Sequence, residues 1–201
     1  MDRRSIAVLV AITALLAGCA NPADPTSTTV RPPPDLTLLP TGIGRYDVGQ
    51  PADEVIEGVS GEIGGPDADS TEQDGALTLP ECGIPDVRVV TWGSLVLVFA
   101  GEGPDAPLFT WSYGFDPVTG NAEDLRRLGL VTDRGVGPGT PRPEVERIYR
   151  GQLAIEDDTT IDVATFTIDG DEAEHLAGRF PTTDPDAVLQ FLERVPGCTF
   201  S

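Results

Sequence analysis

Two seven-residue stretches set ninety positions apart constrain the fold of this chain more than any other feature. Gly49-Gln50-Pro51-Ala52-Asp53-Glu54-Val55 and Gly139-Thr140-Pro141-Arg142-Pro143-Glu144-Val145 share Gly, Pro, Glu and Val in register. Upstream, Gly42-Ile43-Gly44 has a loose counterpart in Gly135-Val136-Gly137, and downstream Gly61 matches Gly151 at the same offset. Each stretch leads with Pro into a short apolar-periodic segment closed by Gly, the asymmetry expected of helix ends. The pattern predicts two related halves, about 39–120 and 121–201, each built from a turn, a short helix and strands. Chance likeness of short segments is the alternative.

The rest of the pattern fills those halves. Pro51–Val59 and Arg142–Gly151 read as the helices, with Glu146 and Arg150 placed four apart as a solvated pair. Residues 87–101 read as two strands broken at Trp92-Gly93-Ser94, and 107–115 as a third in which Phe109, Trp111 and Tyr113 alternate with polar residues and so share a face. Asn121 and Asp124 mark a helical turn or two. Residues 150–156, 161–169 and 175–180 supply shorter strands. A last helix is expected over 182–198, with Asp184 as cap, Pro185 first, and Val188, Phe191, Leu192 and Val195 on one apolar face that docks on the sheet and brings Cys198 toward Cys82. The fold class is α+β, mostly antiparallel.

The first eighteen residues stand outside that fold. A basic start is followed by an uncharged apolar run, Ile6–Ala17, too short for a membrane span and suited to a signal-peptide core. It ends in Leu16-Ala17-Gly18-Cys19, which resembles the bacterial lipobox. The resemblance implies a diacylglyceryl group on the Cys19 thiol, cleavage before Cys19, acylation of the new amino terminus and residence on the outer side of a cell membrane. An ordinary secreted protein with Cys19 as a spare thiol is the alternative. Residues 19–38, rich in Pro and Thr, read as a tether extending at up to about 3.1 Å per residue, either a plain spacer or an O-glycosylated one. The globular domain is then 39–201.

Cysteine usage fits export. With Cys19 lipidated, Cys82 and Cys198 remain as a pair in an oxidising setting, and are expected to form one disulfide. Closing so long a loop contributes at most about 4 to 5 kcal/mol by the chain-entropy estimate. Two separated cysteines and a single histidine, His175, do not make a zinc set. The formal charge of -20 becomes -21 once Asp2, Arg3 and Arg4 leave with the signal, which disfavours nucleic acid and anionic membrane surfaces. All thirteen basic residues are Arg, a bias expected of a GC-rich coding genome.

The order Gly-Ile-Gly, Gly-x-Pro-x-x-Glu-Val, a mid-chain Cys, Trp92-Gly93-Ser94-Leu95-x-Leu97-x-Phe99, Gly135-Val136-Gly137-x-Gly139-Thr140 and a final Gly197-Cys198 resembles uncharacterised exported proteins and lipoproteins of actinobacteria over most of residues 42–198. More distantly, a repeated helix-plus-strands unit resembles the beta-lactamase-inhibitor-protein fold and a related small outer-membrane assembly lipoprotein. That likeness is architectural, and architecture does not carry function.

Residues that carry chemistry are sparse. The chain has no Gly-x-Ser-x-Gly, no phosphate loop and no His-Glu-x-x-His, and His175 amid acids reads as a surface residue. Residues 67–78 begin like a calcium loop but place Glu72 where Gly is required and Thr78 where a bidentate Glu belongs. No catalytic residue, metal or cofactor is therefore expected. Trp92, Phe109, Trp111 and Tyr113 form either a recognition surface for an envelope protein or cell-wall polymer, or the core of the sheet. The expected role is non-catalytic protein binding in the cell envelope. The alternatives are a carboxylate-based envelope hydrolase and an inhibitor of an exported enzyme.

Overall fold

A computed structural model describes residues 35–70, 77–79, 84–115, 128–168 and 174–196. The chain divides into two units, Met1–Pro32 and Pro33–Ser201, and every described residue belongs to the second. The fold begins earlier than the composition indicates: Leu36 and Leu38, on the expected tether, are buried in the core. Their spacing of two, rather than the neighbouring prolines, decides the structure there.

Three two-residue strands, β1 (Leu38–Leu39), β2 (Gly42–Ile43) and β3 (Tyr46–Asp47), form a small antiparallel sheet ahead of helix α1 (Ala52–Ile63). Ala52, Val55, Val59 and Ile63 recur at helical spacing and form the buried face of α1, while Asp53 and Glu54 occupy its first turn, where the helix dipole favours acids. The second helix, α2 (Arg142–Ile148), carries Pro in its first turn and buries Val145.

The large sheet contains nine strands among the described residues: β4 (Ala68–Asp69), β5 (Leu77–Leu79), β6 (Ile84–Trp92), β7 (Leu95–Ala100), β8 (Leu108–Gly114), β9 (Leu153–Asp158), β10 (Val163–Ile168), β11 (Glu174–Phe180) and β12 (Phe191–Pro196). Its order is β4-β6-β7-β8-β12-β11-β10-β9, with β5 also on β6, and every pairing is antiparallel. Two meanders therefore meet at the centre through their last strands, where Ser112 faces Glu193 and Tyr113 faces Leu192. The protein is an α+β fold with a mostly antiparallel sheet and two short helices among the described residues.

The two Gly-x-Pro stretches make the same backbone contacts. Gly49 and Gly139 take positive φ of 95° and 100°, a conformation natural to glycine. The Gly49 N–H donates to the Leu108 carbonyl (2.8 Å) and the Leu108 N–H returns to the Gln50 carbonyl (2.8 Å). In the same way the Gly139 N–H donates to the Leu189 carbonyl (2.7 Å) and the Leu189 N–H to the Thr140 carbonyl (2.8 Å). Pro51 and Pro141 then start the helices from extended backbone, and Val55 and Val145 are both fully buried.

Two expectations are corrected. Residues 191–196, expected as part of a closing helix, form β12. The helical stripe is real in the sequence, but Val188 is 43% exposed, and Asp184 accepts the Asp186 N–H in a tight turn instead of capping a helix. β8 and β11 each offer this segment an edge, and pairing on both sides outweighs a weak local preference. Phe109 also leaves the face of Trp111 and Tyr113. Val98 pairs with Thr110 but Phe99 with Leu108, so Phe109 is the extra residue of a bulge and turns to the opposite face, against Ile84 and Val87. The Asn121–Asp124 turn and the Cys82–Cys198 bridge lie outside the described residues.

Candidate functional site

Of the two readings of the aromatic residues Trp92, Phe109, Trp111 and Tyr113, recognition surface or core of the sheet, all four are buried as core. Trp92 and Trp111 have no exposed surface, and Phe109 and Tyr113 almost none. Each polar handle is used to fasten a neighbouring element. The Trp92 indole donates to the Gly64 carbonyl just past α1 (2.9 Å), and that of Trp111 to the Leu39 carbonyl of β1 (3.0 Å). The Tyr113 hydroxyl accepts the N–H groups of Leu128 and Gly129, both at 2.9 Å. These bonds place the rings between the sheet and its covering elements, with no face left for a ligand.

Arginines that the sequence reading passed over tie the helices and the β1–β2 turn to the sheet. Arg88 of β6 donates to both oxygens of Asp69 on β4 (2.7–3.2 Å) and to Asp53 of α1 (3.0 Å). Hydrogen bonding to Asp69 holds its guanidinium above the ordinary arginine range, against the effect of burial. Arg142 at the start of α2 reaches Asp157 of β9 (2.9 Å), Glu146 (3.2 Å) and the Thr183 carbonyl (3.2 Å). Glu146 is thus engaged by Arg142, not by Arg150. Arg194 of β12 is buried and donates to the carbonyls of Pro40 (2.6 Å) and Phe109 (2.9 Å). The signal that marks Arg88 and Arg194 is an arginine at an inward position of an alternating strand, flanked at spacing two by Val90 and Leu192.

The acidic run from Asp67 is described as far as Ser70, and its first two acids serve the fold. Asp67 accepts the Gly93 N–H at the β6–β7 turn, and Asp69 holds Arg88. Among the described residues no three His, Cys, Asp or Glu side chains are grouped to hold a metal ion. His175 lies half-buried on β11, and its buried Nδ1 has no hydrogen-bond partner among the described residues. Cys19, the lipobox residues Leu16, Ala17 and Gly18, and the cysteines Cys82 and Cys198 lie outside the described residues.

Among the described residues, two shallow hollows on the surface each carry three carboxylates in their walls. One, of about 520 Å³, runs along α1 between Glu54, Glu57 and Glu62, with Arg45 stacked on the Tyr46 ring at its side. The other, of about 460 Å³, lies on the β9–β10 hairpin beside Glu156, Asp157, Asp158, Thr160 and Thr165. β9 is the outermost strand of the sheet, and its last three residues, Glu156, Asp157 and Asp158, are exposed. Such a surface carries negative charge along the edge of the sheet.

Comparison with protein-family models, with curated proteins and with solved structures finds no match to this chain.

Proposed function

We propose that the chain is a lipoprotein of the bacterial cell envelope, held to the outer side of a membrane through Cys19, whose folded domain works by binding another protein and not by chemistry. The address is supported by the basic start, the apolar run Ile6–Ala17 and Leu16-Ala17-Gly18-Cys19. Two or more acyl chains, at about 0.8 kcal/mol per buried methylene, hold where one only visits. The residues between Cys19 and Leu36 act as its leash. The binding role is carried by the outer edge of β9, a six-residue strand whose outer side pairs with no other strand among the described residues.

The domain is read as two copies of one unit. Leu95, Leu97 and Phe99 of β7 stand 81 positions before Leu176, Gly178 and Phe180 of β11, and Leu108 the same distance before Leu189. Ser112 and Glu193, also 81 apart, pair directly, so a local twofold passes between them. The likeness to exported actinobacterial lipoproteins and to beta-lactamase-inhibitor-protein-like repeats belongs to this reading. So does a Cys82–Cys198 disulfide tying the end of the second unit to the first.

Cell fractionation with mass spectrometry tests the address: the mature chain carries lipid on Cys19 in the membrane fraction, and Cys19→Ala releases it. A soluble, unlipidated mature chain overturns the anchor. Affinity capture from envelope extracts tests the role. Absence of partners together with turnover of wall fragments overturns binding in favour of a carboxylate hydrolase.

A further inference from the structure

We propose that the outer edge of β9 is a docking strand for an extended segment of a partner protein in which basic and apolar residues alternate. This rests on the protein-binding half of the reading above and is independent of lipidation.

The first argument is the edge itself. β9 pairs with β10 through six consecutive residue pairs, from Leu153 opposite Ile168 to Asp158 opposite Val163, without a register shift. Among the described residues no strand pairs with its other side, so a row of N–H and C=O groups remains available there. Proteins blunt such edges by keeping them short, by Pro, by bulges, by charged side chains or by a covering element. β9 contains neither Pro nor Lys and has no bulge; three acids stand in their place.

Charge of one sign is selective protection. Antiparallel pairing of two β9 strands along their length would set the acids 156–158 of each against Leu153, Ala154 and Ile155 of the other, desolvating carboxylates that gain no cation, so a second copy is disfavoured. A cationic strand meets the opposite situation, and a chain of formal charge -20 steers it inward.

The two faces of β9 then specify the partner's pattern. Asp157 is already neutralised by Arg142 at 2.9 Å, on the same face as the half-buried Leu153 and Ile155. Glu156 and Asp158 stand on the other face, and the hollow of about 460 Å³ beside them is bordered by all three acids, Asp157 included, and by Thr160 and Thr165. An added strand would lay long basic side chains along that hollow and apolar ones beside Leu153 and Ile155, a period of two.

The test uses the mature chain and a synthetic peptide, acetyl-Lys-Val-Lys-Val-Arg-Val-Lys-amide, followed by amide hydrogen exchange and titration calorimetry. The peptide is expected to slow exchange in residues 153–158. N-methylation of its alternate backbone nitrogens keeps the charge but removes the strand donors, and should weaken binding by about tenfold or more. Glu156→Lys with Asp158→Lys should do the same, whereas Glu57→Lys on α1 should change affinity by less than about twofold. Equal binding of the methylated peptide, protection confined to other elements, or β9-mediated dimers without peptide would overturn the proposal. A peptide that fails while envelope capture still yields partners removes this edge but leaves protein binding standing; failure of both removes both.

Discussion

The hydroxyl of Tyr46 occupies the place that a β-carbon on Gly58 would take, so that β3 and α1 interlock at a position only glycine can fill. Glycine inside a helix ordinarily costs about 0.5 to 1 kcal/mol relative to alanine. Here the space is worth more than the propensity, and Gly58→Ala should destabilise the domain by about 1 to 3 kcal/mol through overpacking. Gly61, one turn on, has no neighbour within 4 Å of its β-carbon position among the described residues beyond the backbone of its own helix. Gly61→Ala should therefore stabilise by about 0.5 to 1 kcal/mol. Opposite shifts of the two urea midpoints check the argument; a gain at both positions would show that Tyr46 does not hold α1.

Arg88 is the second fastening of α1. Both it and Asp69 are largely enclosed, at 12% and 14% side-chain exposure, while Asp53 is 66% exposed. Truncating Arg88 removes the guanidinium from which both oxygens of the enclosed Asp69 carboxylate accept, and Arg88→Ala is expected to cost about 2 to 3 kcal/mol. Asp53→Ala removes only a solvated pair and should cost less than about 1 kcal/mol. Denaturant unfolding of the two variants separates them; similar losses would place the energy of the clamp in the exposed arm instead.

How far the sequence anticipated this arrangement depends on whether the determining contacts are local. The helices at Ala52 and Arg142 are legible because Gly, Pro and apolar spacing sit within a few residues of each other. The β6–β7 hairpin is legible for the same reason, its turn marked by Gly93. β12 is not, because its residues suit a helical stripe and only the edges of β8 and β11, distant in the chain, decide otherwise. Phe109 is misplaced by a single inserted residue, which alternation cannot register. The aromatic strand was visible as a feature, but whether its rings face solvent depends on what covers them. The β9 edge was legible as a strand and not as a boundary, since sheet order is a property of the whole chain.

Asp162 adopts a positive φ of 51°, unusual for a residue other than glycine, at the β9–β10 turn. Its carboxylate accepts the Thr183 N–H (3.0 Å) and the Thr183 hydroxyl (2.8 Å). The backbone bond first, and the hydroxyl bond after it, hold the Asp162 carboxyl below the ordinary aspartate range. A carboxyl with a depressed folded pKa contributes stability that is present above its unfolded pKa and is lost as pH falls through the folded one. The Thr183 amide should therefore titrate with a midpoint below that of a free aspartate, and Asp162→Asn should abolish the step. A midpoint at the ordinary value would mean that Thr183 does not select the ionised form.

Trp92 and Trp111 report on the interior from two places, one bonded to the end of α1 and one to β1. Because both indoles are wholly enclosed, native emission should be blue-shifted and weakly quenched by iodide, with full quenching only after unfolding. Trp111→Phe keeps most of the apolar volume but leaves the Leu39 carbonyl without its donor, a loss of about 1 to 3 kcal/mol. That loss should be felt first at β1, seen as faster amide exchange at Leu38 and Leu39, while β9 and β10 at the far end of the sheet stay unchanged. Strong iodide quenching of the native protein would return the indoles to the surface and revive them as a recognition face. Uniform acceleration of exchange across the sheet would instead show that the small N-terminal sheet and the large one unfold as a single unit.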